Sequence, residues 1–262
     1  MTEQTMAVSL LASDEPAPLS VENAHGTSPC LIICDHAGSR IPRSLGTLGL
    51  SPLDQQRHIA WDIGAAAVAS ALGRVLDACV ILQTYSRLVI DCNRPLGSPG
   101  SIVTESEDTP IPGNTSLTAA DVTRRQQEIF RPYHQRIRAE LETRQRQGRP
   151  TWLIAMHTFT PVFRAAARSW HAGVLYNRDP RLARALLAVL REDPALVVGD
   201  NEPYSVSDTT DYAIPVYGES LQLPHVGIEI RQDLVAASAG QQEWSQRLAS
   251  ALQRLAVQTH WT

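Results

Sequence analysis

The chain has 262 residues, of which 43% are hydrophobic and 19% charged, and its formal net charge is −4. This balance excludes a strongly basic nucleic-acid binder and a polybasic membrane-surface protein. It suits a globular domain with a sizeable core, and all 23 basic residues are arginine.

Residues 1–25 read as a loose lead-in, polar and Pro-containing, without the apolar stretch of a secretory signal. Residues 26–262 read as a single domain. The run Cys30-Leu31-Ile32-Ile33-Cys34 predicts the first buried strand, which ends in Asp35-His36-Ala37-Gly38-Ser39. A helix is predicted over residues 54–76, where repeated alanines allow close packing. Strands follow at 78–82 and in the run Tyr85-Ser86-Arg87-Leu88-Val89-Ile90, which leads into Asp91-Cys92-Asn93-Arg94. Residues 97–116 are rich in Gly, Pro, Ser and Thr and predict a long loop, a feature usually tied to function in a compact domain. A charged helix is predicted over 119–147. A strand over 152–156 delivers His157-Thr158-Phe159-Thr160-Pro161. Then come a strand at 173–176, a helix at 180–191, strands at 195–198 and 226–230, and a closing helix at 241–258. No run of 18 apolar residues predicts a membrane-spanning helix.

Buried strands alternating with helices predict an α/β fold with a mixed, largely parallel central sheet flanked by helices. Ligands of such sheets bind beyond the carboxyl ends of the strands. His36, Asn93, Arg94, His157 and Glu229 all fall at or near those ends. The four cysteines, Cys30, Cys34, Cys79 and Cys92, lack zinc-ribbon spacing and read as buried reduced thiols, which fits a cytoplasmic protein. Cys92, Ser39 and Ser86 lack the local signatures of activated nucleophiles.

Two strand-end histidines, His36 and His157, predict a metal site. Catalytic zinc commonly takes two histidines and one carboxylate, with the fourth position open. Asp62, an acid among apolar neighbours, is the candidate third ligand; His58, four residues earlier, is the alternative or a partner that orients Asp62. Glu229 stands between Ile228 and Ile230, so it reads either as a general base or as half of a buried ion pair with Arg231. Arg87, Asn93 and Arg94 bring two guanidinium groups and an amide together, a set suited to gripping a carboxylate. The loop Gly199-Asp200-Asn201-Glu202-Pro203-Tyr204-Ser205 reads as a substrate-facing lid or a solvated surface loop.

The ordered set of these motifs resembles the N-formylglutamate amidohydrolase family, from about residue 29 to 255. The resemblance rests on Cys34 to Gly38, Ile41-Pro42, His58 to Gly64, Tyr85 to Arg94, His157 to Pro161, Asp200 to Ser205 and Gly227 to Leu234. It implies a fold like that of zinc carboxypeptidases and aspartoacylases. It also implies a zinc-dependent hydrolase that removes an N-acyl group, such as N-formyl, from an acidic amino acid such as N-formylglutamate. By this resemblance His36 and His157 are zinc ligands and Glu229 is the catalytic carboxylate. Arg87 polarises the scissile carbonyl, and Asn93 and Arg94 hold the substrate carboxylate, with Arg231 placed beside them. The chain departs from the His-x-x-Glu ligand pair of the peptidase relatives, because Ser39 stands three residues after His36; Asp62 is the candidate that replaces that acid. A carboxypeptidase-like peptidase and a non-catalytic binder of an acidic small molecule are the rival readings. The expected partner is a small N-acyl amino acid, with no nucleic acid and no membrane.

Overall fold

The computed structural model describes residues 9–258. The first eight residues of the expected lead-in and the last four of the chain lie outside this range. In chain order the strands and helices are β1 (Leu19–Glu22), β2 (Cys30–Cys34), α1 (Ala65–Leu76) and β3 (Cys79–Gln83). A small hairpin, β4 (Glu105–Ser106) and β5 (Thr109–Pro110), precedes α2 (Ala119–Arg125) and α3 (Arg131–Arg146). Next come β6 (Trp152–Phe159), a second hairpin of β7 (Val162–Phe163) and β8 (Ala166–Ala167), β9 (Ala172–Leu175), α4 (Arg181–Leu190), β10 (Val198–Asp200), β11 (His225–Arg231) and α5 (Ser238–Gln258).

Seven strands form one sheet in the order β1-β3-β2-β6-β11-β9-β10. β3, β2, β6 and β11 run parallel, whereas β1 pairs antiparallel with β3 and β9 pairs antiparallel with β11. The sheet is therefore mixed and largely parallel, as the alternation of strands and helices predicts. Side chains alternate between its faces. Ile32, Val80, Ile154 and Ile228 pack with Leu72 of α1, Leu186 of α4 and Leu248 of α5 on one side. Leu31, Ile33, Ile81 and Leu153 pack with Phe130, Tyr133 and Ile137 on the other. Each fully buried side chain of this size contributes about 1.5–3 kcal/mol by leaving water.

Four expectations are corrected. The helix predicted over 54–76 occupies only Ala65–Leu76, after a single 3-10 turn at Asp54–Gln56. The intervening backbone serves other partners: the Asp62 N–H donates to the His36 carbonyl at 2.9 Å, and Gly64 adopts a left-handed φ of 83°. Gly64 also packs so closely on Val235 that a Cβ would lie 2.5 Å from its carbonyl oxygen. The strand predicted through residues 85–90 is instead a buried set of turns, with only an isolated bridge from Tyr85 to Arg40. Side chains replace a neighbouring strand there. Asn114 donates to the Leu88 carbonyl, buried Arg125 donates to the Val89 carbonyl, and the Ser86 hydroxyl donates to the Ala60 carbonyl.

The helix predicted over 119–147 begins as expected, with Thr118 and Asp121 forming a capping box. It then carries a π-helical segment at Gln126–Phe130. The lead-in is tied down over part of its length: β1 joins the sheet edge, and Glu128 accepts from the N–H groups of Leu10 and Leu11. Among the described residues no helix is long and apolar enough to cross a membrane.

Candidate active site

The carboxyl ends of β2, β6 and β11 open into a cavity of about 680 Å³. His36 lies just beyond β2, while His157 and Glu229 lie within β6 and β11 as partners in the parallel register. Asp62 reaches the same place from the turn before α1. Its neighbour Ile63 is pinned there, accepting at its carbonyl from the Thr158 hydroxyl at 2.9 Å. Gly38, two residues after the first histidine, packs its Cα against the Thr84 carbonyl, where a Cβ would come within 1.9 Å. Only glycine lets the two backbones meet there, and that contact fixes the course of the chain leaving His36.

Oδ2 of Asp62 lies 2.9 Å from Nδ1 of His157 and 3.4 Å from Nδ1 of His36. All three residues are buried, and one ligating atom from each lies within 4.8 Å of the others. Ligand atoms of a tetrahedral zinc site stand about 3.3–3.6 Å apart when bonds are 2.0–2.2 Å long. The donor set of two histidines and a carboxylate, drawn together within 4.8 Å of one another, suits a cation such as zinc. His58 does not join this cluster; its Nε2 lies 2.8 Å from Oε2 of Glu107 in the β4–β5 hairpin.

A carboxylate stands behind each histidine. Nε2 of His36 is 2.7 Å from Oδ1 of Asp91, and Nε2 of His157 is 3.6 Å from Oδ2 of Asp35. Both rings turn Nδ1 toward Asp62; the Asp91 contact on His36 is a hydrogen bond, whereas Asp35 acts on His157 by charge alone and its buried oxygens have no hydrogen-bond partner. Burial and the Arg87 charge work to lower the His36 pKa, but Asp91 and Asp62 outweigh them and raise it. Burial likewise opposes the charged form of His157, yet Asp35 and Asp62 hold it well above the usual imidazole range. Asp62 itself is disfavoured by burial, but the histidines keep it ionised far below the ordinary carboxylate range.

Arg87 bridges two acids: its guanidinium donates to Asp91 at 2.8 Å and to Asp62 at 3.4 Å. Glu229 is the opposite case. Its Oε2 is buried without a hydrogen-bond partner, and burial pushes its carboxyl up to about 7. It makes no ion pair with Arg231, which binds Asp233 and the carbonyls of Arg168 and Trp170 instead. Arg231, expected at the substrate, is not among the residues that line the cavity.

Asn93 and Arg94 do line the cavity. The Asn93 side-chain oxygen accepts from the N–H groups of Tyr212 and Ala213, and its amide nitrogen donates to Asp211. Its side chain thus holds the 210–213 loop. Arg94 contacts the Asn93 and Thr210 carbonyls, and among the described residues no carboxylate lies within salt-bridge distance of it. Cys92 is a buried thiol whose pKa burial pushes well above its usual range, which excludes it as a ready nucleophile. Ser39 faces a different cavity, and Ser86 is committed to the Ala60 carbonyl.

Sequence reasoning overlooked Asp35 and Asp91 as partners of the histidines, although both stand in motifs it singled out. It also overlooked the ring cluster of Phe159, Phe163 and Tyr204 on the cavity wall. Tyr204 does belong to the loop that reads as a possible lid.

The sequence matches the family model described as N-formylglutamate amidohydrolase over residues 28–236. The chain belongs to the N-formylglutamate amidohydrolase family. The gene product Atu2144 from Agrobacterium tumefaciens is similar at 36% identity and a TM-score of 0.90, covering 94% of this chain and 99% of that one. The N-formylglutamate amidohydrolase from Ralstonia eutropha JMP134 is 22% identical with a TM-score of 0.71, covering 92% of this chain and 98% of its own, and so shares the fold. No curated protein matches the chain. As a member of the N-formylglutamate amidohydrolase family, the chain places a buried His-Asp-His cluster at its cavity floor, and that cluster can hold a metal.

Proposed function

We propose that the protein is a zinc-dependent amidohydrolase that cleaves the N-acyl bond of an N-acyl amino acid, with N-formyl compounds foremost. The observation that carries this reading is the convergence of His36, Asp62 and His157 beside Glu229, whose buried carboxyl oxygen has no other partner. His36, Asp62 and His157 would hold zinc, and a bound zinc would supply Lewis acidity that lowers the pKa of water and polarises the acyl carbonyl.

The chain's own residues supply the rest. Glu229 accepts a proton from the attacking water and passes it to the amine nitrogen as the C–N bond breaks. The Arg87 guanidinium, oriented by Asp91 and Asp62, stabilises negative charge that develops on the acyl oxygen. Arg94 receives the substrate carboxylate, and Asn93 positions the loop that shapes this end of the cavity. Asp91 orients His36, and Asp35 acts on His157 by charge.

The test is to load the purified protein with zinc, measure bound metal per chain, and assay formate release from N-formyl amino acids, including N-formylglutamate. Stoichiometric metal with hydrolysis that a chelator abolishes is the expected result. A protein that binds no transition metal and hydrolyses no N-acyl amino acid is a binder, and the reading falls.

A further inference from the structure

From the wall of this same cavity we infer that Arg168 is a specificity-determining residue. Its guanidinium, with the Tyr204 hydroxyl beside it, receives a second carboxylate on the substrate, the one carried by the side chain of an N-acyl acidic amino acid. The inference rests on the amidohydrolase reading and gives a role to a residue outside both the histidine cluster and the 87–94 segment.

The first observation is position. β6 carries His157 and ends at Phe159, and the β7–β8 hairpin then folds back so that the Arg168 N–H donates to the Pro161 carbonyl at 2.8 Å. The Arg168 carbonyl accepts from the Arg231 guanidinium at 3.3 Å, so the cation expected at the substrate fastens this backbone instead. The Arg168 guanidinium donates to the Tyr204 hydroxyl at 2.8 Å. It lies 4.7 Å from the ring centres of Phe163 and Tyr204 and 5.7 Å from that of Phe159. All three ring residues line the cavity. One cation is thereby mounted on the cavity wall by β6, the hairpin and the 199–205 loop together.

The second observation is what this cation leaves unspent. Rings take the face of a guanidinium, whereas its N–H groups lie in its plane and stay available. Nη1 of Arg168 is used by Tyr204 and the Thr160 carbonyl. Among the described residues Nε and Nη2 have no hydrogen-bond partner, and no carboxylate lies within salt-bridge distance. The Tyr204 hydroxyl accepts from Arg168 and keeps its own proton to donate. A guanidinium edge beside a phenol O–H offers two donors to one carboxylate.

The charge balance of the cavity points the same way. A divalent cation on the His36-Asp62-His157 cluster would offset Asp62, Arg87 is bonded to Asp91, and Arg57 and His58 lie against Glu107. Arg94 and Arg168 are then the two guanidinium groups here without a carboxylate partner among the described residues. Two such cations match two substrate carboxylates, Arg94 the one next to the scissile amide and Arg168 the one on the side chain. A neutral side chain in that place gains nothing from the charge of Arg168.

The experiment measures kcat/KM of the zinc-loaded protein for N-formyl-L-glutamate and N-formyl-L-glutamine, which match in shape and differ by one charge. The wild type should favour the glutamate compound roughly 10–100-fold, the worth of a charge-assisted contact at a part-exposed site. Arg168→Met keeps an unbranched side chain against the rings and should bring the two values together. Tyr204→Phe keeps the ring, loses only the hydroxyl and should lower the ratio part of the way. A wild type without this preference, or a ratio unchanged in either variant, overturns the inference while leaving the amidohydrolase reading intact. Should Arg168→Met fail to fold, the ratio in Tyr204→Phe decides by itself. If no N-formyl amino acid is hydrolysed, the amidohydrolase reading fails, and calorimetric titration of the same two compounds judges Arg168 alone. Tighter binding of the glutamate compound that Arg168→Met removes then supports the inference; equal binding, no binding, or a preference that survives the substitution overturns it.

Discussion

Glu229 and His157 are in-register partners on adjacent parallel strands, so their side chains emerge on the same face of the sheet. One is tied to Asp62, and the other keeps a carboxyl oxygen without a partner. A histidine of the buried cluster and a carboxyl without a partner are thus placed side by side by the sheet itself.

The cluster of His36, Asp62 and His157 should make the fold metal-dependent in stability. Zinc added to chelator-treated protein should raise the melting temperature, with a gain of about 4 kcal/mol when free zinc is 1,000 times its dissociation constant. Asp62→Ala should abolish the gain. An identical zinc-induced shift in that variant would remove Asp62 from the ligand set.

Glu229→Gln preserves shape and removes the proton acceptor. Zinc content should stay at the wild-type level, and kcat should fall roughly 10²–10⁴-fold. Wild-type turnover by a variant that binds zinc and melts normally would exclude the general-base role.

The same substitution has a pH signature in chelator-treated protein. Burial raises the Glu229 pKa from 4.5 to about 7, so the folded state holds this proton more tightly than the unfolded state does. Below 4.5 both states are protonated and the residue costs nothing. Between 4.5 and 7 the unfolded chain releases the proton first and stability falls. Above 7 the full deficit, roughly 3 kcal/mol, is present. Glu229→Gln should therefore melt above the wild type at pH 8, and the gap should close as pH approaches 4.5. A gap that does not vary with pH contradicts this assignment.

Asp91→Asn keeps a hydrogen-bonding side chain but removes the charge behind His36 and beside Arg87. Zinc affinity, measured by competition with a chromogenic chelator, should drop about 10–100-fold. Unchanged affinity would mean that His36 is oriented by other contacts.

Arg94→Ala should weaken substrates with a free carboxylate by about 2–5 kcal/mol in kcat/KM and spare the corresponding amides. An equal loss on acid and amide would assign Arg94 a purely structural part through the Thr210 and Asn93 carbonyls.

Much of the sheet and the metal cluster is legible from local pattern. Apolar runs that lead into His36 and His157 mark parallel strands, and acids in apolar company mark Asp62 and Glu229, although His157 and Glu229 lie within their strands rather than at the ends. The legible part stops where one segment's conformation is set by side chains from elsewhere. Leu88 and Val89 look like strand residues, but Asn114 and Arg125 satisfy their carbonyls, and neither donor can be foreseen from the run itself. Asp91 and Asp35 are visible as letters beside the motifs, yet their role depends on which nitrogen of each histidine they meet. Arg231 looks equivalent to Arg94 in sequence; a nearby Asp233 distinguishes the two. β1 escaped notice because a four-residue edge strand with a polar face carries little periodic signal.

Asp91 serves three partners at once: the imidazole of His36, the guanidinium of Arg87 and the backbone N–H of Asn93. It sits three residues from Arg94 on the same short turn. The His36-Asp62-His157 cluster and Arg94, the proposed carboxylate anchor, are consequently joined through one turn, and a tilt of that turn moves both. Thermodynamic reciprocity then applies: to whatever extent an occupied anchor tightens the hold on the cation, the cation tightens the anchor by the same factor. If the proposed function holds, affinity at one end of the cavity would read out occupancy at the other.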